Sequence, residues 1–449
     1  MGKGRTAWTR SGALVLGVAV IAAGCSSGGS ASNSTTTTAA SSSTTSGGKT
    51  TGTSPGVSTT QISIGAISSK TGQLAGYFDG LAPGMIAYFN TLNANGGING
   101  RHIVLTDNLD DGGSPTQFIQ DAHTLIDQDH VFAIGVASAW FSPNYFVTTK
   151  TPTYGYNVSA NWQGAPNLYA VGGSTQVYAN GYSSLAYFIK KVAAKSVAFI
   201  SYGPSIASSY DACSSYATGM KQAGFNVVLA DVGAQLGGSY SSDVQRLQQS
   251  GAQLVVTCMQ ASDNITLARD IQQYGLKIKQ FWLNGYDQAL LAQYGNLMEG
   301  VYVDNVGGVP FQAGDRSRYG NTYPGMLAYL AAMAKYEPNF VYNGVAFQGW
   351  QSAALIAAGV KAAGKDPTQA SVIGATNKIT NFTASGVSAP VDWAVSHTGT
   401  TWPDCSSYIQ VQGGKYVPVF GQGKQVFVCV NKNPKNPVPV TPMPGTPGA

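Results

Sequence analysis

Apolar and polar positions along this chain follow two rhythms that take turns, one with the period of a strand and one with the period of a helix. Ile62–Ile67 (ISIGAI), His102–Thr106 and Val131–Val136 have the length and β-branched content of strands, while Leu81–Leu92 and Pro115–Ile126 carry apolar residues at helical spacing. The order βαβα predicts parallel strands covered by helices on both faces. After Tyr154 and Leu168–Val171 the pattern restarts. Helices are expected at Val177–Val192, Tyr210–Ala223, Ser241–Gln249 and Asn264–Tyr274, interleaved with strands at Val197–Ser201, Val227–Val232, Leu254–Thr257 and Phe281–Leu283. Two long helical stretches, Tyr323–Tyr336 and Val345–Ala363, precede a β-rich end. The expected fold is α/β, with two doubly wound Rossmann-like lobes joined by a hinge.

The ends obey different rules. Lys3, Arg5 and Arg10 precede an apolar run of 12 residues, Gly12–Ala23, and small residues then lead to Cys25. This is the layout of an export signal, and the run is shorter than the ~20 residues that span a bilayer. The small-residues-then-Cys ending resembles the lipobox of bacterial lipoproteins, which implies a signal peptide at 1–24 and lipidation of Cys25. An uncleaved anchor and ordinary secretion are the alternatives. Residues 25–58 are almost all Ser, Thr, Gly and Ala, with Lys49 the one charge, so they cannot bury enough apolar surface to order themselves and are expected to form a disordered tether. Residues 431–449, rich in Pro and Asn, are expected to be a disordered tail. Between them the boundaries place 59–173 and 306–385 in lobe I, and 174–305 and 386–430 in lobe II.

Charge narrows the function classes. The formal net charge of +5 falls to +2 once the three basic residues of the signal are removed, and no concentrated basic face remains for nucleic acid. Setting Cys25 aside leaves an even number of cysteines in an exported chain. Cys405 and Cys429 flank a run of alternating strands and Gly turns and are read as one disulfide, Cys213 and Cys258 as the other; buried free thiols are the alternative. No CxxC spacing occurs and the only histidines are His102, His123, His130 and His397, so no metal site or cofactor is expected. Asp110-Asp111 reads as a loop or helix-cap pair, and Gly96-Gly97-Ile98-Asn99-Gly100 as a tight connection needing positive φ.

The segments SKTGQLAGY (Ser69–Tyr77), NANGGINGR (Asn93–Arg101), DDGGSP (Asp110–Pro115), FAIG (Phe132–Gly135), ARDIQQYGLK (Ala268–Lys277) and VQGGKYVPV (Val411–Val419) occur in a specific order. Taken together they resemble the type I periplasmic binding proteins of the leucine/isoleucine/valine-binding branch, the substrate-binding components of branched-chain amino acid ABC transporters. The resemblance spans roughly residues 60 to 430. Open α/β sheets bind ligands beyond the carboxyl ends of their strands, which nominates Thr71, Gln73 and Tyr77 after the first strand. Ser138, Ala139 and Trp140 follow the third, and Tyr156, Asn157 and Ser159 the fourth. In the second lobe the resemblance implies Tyr210, Gln260 and Asp263, with an acid pairing a ligand ammonium. Trp140, Phe141, Tyr154, Tyr156 and Trp162 cluster where an amino-acid binder would place small residues. They imply a ligand larger or more planar than leucine, such as an aromatic or amide-containing acid, or else they pack the lobe.

The expected function is an extracytoplasmic solute-binding lipoprotein, held at the outer face of the cytoplasmic membrane. It would act as a monomer, close on a small molecule and deliver it to an ABC permease and ATPase complex. A ligand-sensing receptor of the same fold and a secreted hydrolase are the alternatives. Between residues 59 and 430 the chain lacks the G-x-S-x-G and H-E-x-x-H patterns, which argues against the hydrolase.

Overall fold

Strand β1 (Gln61–Ser68) opens a five-stranded sheet in the order β2-β1-β3-β4-β5, completed by β2 (His102–Asp110), β3 (Ala133–Ala137), β4 (Thr153–Gly155) and β5 (Leu168–Ala170). Every pairing in it is parallel. Helices α1 (Leu81–Ala94), α2 (Pro115–His123) and α3 (Asn144–Thr149) connect the strands. The computed structural model describes residues 54–440 except 73–74, 175–181, 306–307, 400–403 and 422–423. The expected signal peptide, Cys25, most of the expected tether, Gln73 and residues 441–449 lie outside the described residues.

The second sheet has seven strands in the order β13-β12-β10-β9-β8-β6-β7. Its parallel part is β6 (Val197–Tyr202), β7 (Val227–Ala234), β8 (Leu254–Thr257), β9 (Lys279–Trp282) and β10 (Tyr302–Asp304). These alternate with α4 (Ser183–Lys191), α5 (Ala207–Gln222), α6 (Ser241–Ser250), α7 (Ala261–Gln273) and α8 (Gln288–Met298). After α9 (Arg316–Tyr319), α10 (Pro324–Tyr336), α11 (Gly344–Ala363) and α12 (Gln369–Thr376), the chain adds β12 (Tyr408–Gln412) and β13 (Lys415–Val419) antiparallel to that sheet. A separate ribbon pairs β11 (Asp404–Ser406) with β14 (Val428–Val430) and carries the Cys405–Cys429 disulfide; Cys213 of α5 is bridged to Cys258 at the end of β8.

Local chemistry accounts for the element ends. Ser114 caps α2, its hydroxyl accepting from the Gln117 N–H ahead of Pro115, and Thr368 with Ser371 forms a capping box on α12. The turn before β2 uses positive φ at Gly96, Gly97 and Gly100, and a Cβ on Gly97 would run into the Arg101 carbonyl. Asp110 serves as a loop clamp, accepting from the backbone N–H groups of Lys70, Thr71 and Gly112.

Packing departs from the expected boundaries. Val391 and Trp393, expected in the second lobe, join the core of the first sheet, with Trp393 edge-on to Tyr169 at 5.1 Å. Phe311, Tyr323, Met326 and Tyr329, expected in the first lobe, pack with Trp282, Val303 and Ile409 of the second, while Ala87 and Trp350 reach the same cluster from the first. Both sheets fall in one compact unit, Gly48–Ala449, with this shared core between them. The tether and tail are also shorter than expected. Val57 bridges to Ile62, and residues 431–440 fold back so that Val430 bridges to Pro439 and the Val440 N–H donates to the Cys429 carbonyl. Hydrogen bonds to the body hold segments whose composition alone predicted disorder.

Candidate functional site

The carboxyl ends of the two parallel sheets face a common cavity of about 630 Å³. That volume falls within the roughly 300–1,000 Å³ usual for small-molecule sites. The first lobe contributes Tyr77 and Phe78 after β1, Ala139 after β3, Tyr156 and Asn157 after β4, and Gly172 after β5. Facing them are Tyr202 at the end of β6, Gln260 after β8, Asn284 after β9 and Asp304 at the end of β10. Tyr156 spans the gap, its hydroxyl donating to Asn284 Oδ1 at 2.8 Å. Asn284 is itself held, since its amide nitrogen donates to the Met259 carbonyl and its own carbonyl accepts from Asn264.

Five nominated residues, Tyr77, Ala139, Tyr156, Asn157 and Gln260, line the cavity, and six other described ones do not, among them Thr71, whose hydroxyl donates to Asp110. Ser138 is buried and donates to Asp111 at 2.5 Å while accepting from the Trp140 N–H, so it braces the loop. Ser159 is buried at the start of the turn Ala160–Trp162, away from the cavity. Tyr210 sits on a face of α5 outside the lining. Asp263 accepts from the Tyr202 hydroxyl at 2.6 Å and the Gly237 N–H at 2.9 Å, which turns its carboxylate behind the wall. It supports Tyr202 and is not placed to meet a ligand ammonium.

The aromatic cluster divides the same way. Trp162 is fully buried and stacked on Phe141 at 4.0 Å, and Tyr154 is fully buried on Tyr169 at 4.8 Å. Trp140 packs against core clusters of both lobes, including the one that holds Tyr202 and Ile206. Of these five rings only Tyr156 reaches the cavity.

The rest of the lining went unrecognised in the sequence. Tyr202 and Asn284 occupy strand ends, the positions the rule for open sheets singles out, and that rule could have named them. Tyr182 and Tyr216, whose ring centroids lie 4.2 Å apart, and Asp287, Asp304 and Asp404 carry no comparable signal. Burial pushes the Asp304 carboxyl up to about 7, against a lowering hydrogen bond from Ser406 and with a further rise from the charge of Asp404. Asp404 is also raised by burial, although the Ser184 N–H at the start of α4 donates to it at 2.8 Å. Burial likewise raises Asp287, the N-cap of α8. Among the described residues lining the cavity Arg269 is the one basic side chain; it is exposed, about 10 Å along α7 from Ser262 at the helical rise per residue. Among the described residues no cluster of His, Cys, Asp and Glu could hold a metal ion, and no helix is long and apolar enough to cross a membrane.

A family profile described as periplasmic binding protein matches residues 61–415. Among solved structures, the chain is similar to a fatty acid ABC transporter substrate-binding protein from Thermomonospora curvata, at 18% identity and TM-score 0.69 over 88% of this chain and 97% of that one. It is similar to a possible leucine/isoleucine/valine-binding protein from Rhodopirellula baltica, at 15% identity and TM-score 0.66 over 80% and 96%. A leucine binding protein from Thermotoga maritima aligns at 17% identity and TM-score 0.62 over 80% and 97%. No curated protein matches. At such identities the structural likeness concerns the fold, and the profile match supplies the lineage. Two α/β lobes facing across a cavity, and a profile that covers most of the body, place this chain in the periplasmic binding protein family, in its type I form.

Proposed function

We propose that this protein is an extracytoplasmic solute-binding lipoprotein that captures a small molecule between its lobes and delivers it to an ABC importer. The family is one of solute-binding proteins that work outside the cytoplasm and are not enzymes. The observation that carries the reading is the cavity of about 630 Å³ between the carboxyl ends of two parallel sheets, with side chains from both lobes in its walls. A solute there touches both lobes only when they are together, so its binding free energy is what shifts the hinge equilibrium toward closure. The solved structures it resembles are named for a fatty acid and for leucine, so this fold serves different cargoes and the lining selects among them. Cys25 would carry the lipid, and the Ser/Thr/Gly segment after it would tether the body to the membrane as a monomer.

Mass spectrometry of the solute released by mild denaturation, followed by adding that solute back under small-angle X-ray scattering, tests capture. A decrease in radius of gyration on re-addition is expected. No co-purifying solute, and no compaction with any candidate, would refute the proposal. For the anchor, labelling with radioactive palmitate is expected in the natural chain and lost in Cys25→Ser.

A further inference from the structure

The lining is unbalanced in charge, with Asp287, Asp304 and Asp404 set against Arg269 alone. Two of these acids come from distant parts of the chain to one corner. Asp304 ends β10, Asp404 begins β11, and Ser406 of β11 donates to the Asp304 carboxylate at 3.1 Å. Tyr216 of α5 feels the charges of both aspartates as well as Tyr156, which reaches in from the first lobe. Tyr182 packs against the Tyr216 ring and lines the same cavity.

Burying a carboxylate costs free energy unless a partner offsets it. Asp404 has the amino end of α4, and Asp287 has that of α8. Asp304 has the hydroxyl of Ser406 and no basic side chain beside it among the described residues. It therefore stands at the cavity wall with no opposite charge, held by the Ser406 hydroxyl and a backbone hydrogen bond at Asn305, and within electrostatic reach of Tyr156, Tyr216 and Tyr408. The negative faces of aromatic rings together with a desolvated carboxylate attract an alkylammonium group far more strongly than either does alone. A carboxylate cargo would meet repulsion in the same corner, and among the described residues lining the cavity the one basic side chain to offset it is Arg269, exposed on α7.

We propose that the ligand is an organic cation whose ammonium group sits in the corner formed by Asp304, Asp404, Tyr156, Tyr182 and Tyr216. This names the cargo class for the capture reading and rests on it. The groups facing Asp304 are Ser406 and Asp404 on β11, Tyr156 after β4, Tyr216 on α5 and Tyr408 on β12. Tyr156, Tyr216 and Tyr408 are held above their ordinary value, mainly by burial, and Asp304 is the group there whose carboxyl is pushed up to about 7. Protonation of Asp304 removes the charge that holds the cation, and affinity falls as pH drops through about 7.

The test is calorimetric titration of the purified full-length protein with choline, tetramethylammonium and putrescine. The neutral choline isostere 3,3-dimethylbutan-1-ol, leucine and octanoate serve as controls, with small-angle scattering on each. At least one cation is expected to bind at least tenfold more tightly than the neutral isostere, and to weaken between pH 8 and pH 6. Asp304→Asn is expected to weaken that cation at least tenfold, and Tyr216→Leu to weaken it severalfold while leaving Asp304 in place; circular dichroism confirms that both variants fold. Failure of all three cations, parity with the isostere, or full affinity in folded Asp304→Asn would overturn the inference. Compaction by leucine or octanoate alongside such a failure would overturn the cation class and leave capture standing. No compaction with any of the six would overturn both.

Discussion

Replacing Tyr156 by Phe keeps the ring in the cavity wall and deletes only the hydroxyl that crosses to Asn284 Oδ1 at 2.8 Å. A typical intramolecular hydrogen bond contributes about 1 kcal/mol net, or about fivefold in an equilibrium constant. Asn284 stays anchored through Met259 and Asn264, so it cannot relax toward a new partner across the gap. The Tyr77 hydroxyl also acts on that of Tyr156, so losing both contacts sets an upper bound of about 2 kcal/mol, roughly thirtyfold. Because the contact joins the two lobes, the loss falls on the closed form. Ligand affinity is expected to drop about fivefold to thirtyfold, and the scattering radius of the unliganded protein to grow. Titration with the co-purified solute measures the first, small-angle scattering the second. A double-mutant cycle with Asn284→Ala isolates the pair, and the combined loss is expected to be smaller than the sum of the single losses. Unchanged affinity with unchanged scattering, or strictly additive losses, would refute the reasoning that this contact clamps the lobes.

Asp304→Asn is expected to stabilise the unliganded protein at pH 8 and to do so progressively less as pH falls toward 4.5. The folded carboxyl is raised to about 7 by burial, so its contribution is fully present below the unfolded value near 3.9 and is lost as pH rises through 7; melting temperatures across pH 4.5–8.5 check this. Changing Cys213 and Cys258 to Ser removes a crosslink between residues 45 apart and is expected to cost about 4 kcal/mol in the chain-entropy picture, read by chemical denaturation. Gly97→Ala forces a side chain onto φ +67° and into the Arg101 carbonyl, so it is expected to cost more than about 1 kcal/mol; it lies outside the cavity lining, and ligand affinity should not change.

Local periodicity determined the alternation of strands and helices, because burying one face of each element imposes period two or 3.6 whatever the neighbours are. The two parallel sheets therefore follow from Ile62–Ile67, Val131–Val136, Val197–Ser201 and Leu254–Thr257, and the tight turn at Gly96–Gly100 from its glycines. Strand β10 escaped notice because three residues are too few to show a period. The strand-end rule pointed to the cavity's neighbourhood and reached Tyr77, Tyr156 and Gln260, which line it, yet it could not say which way a loop side chain turns. Asp263 and Ser138 look like ligand contacts on paper, but Tyr202 and Asp111 engage them from behind. Only the tertiary structure decided the acidic corner. Asp304 and Asp404 are a hundred residues apart, and they meet because β12 pairs antiparallel with β10, setting Tyr408 opposite Asp304 and bringing the adjoining β11 alongside. A pairing between distant strands leaves no trace in the local spacing of either one, and the electrostatics of the site depend on that pairing.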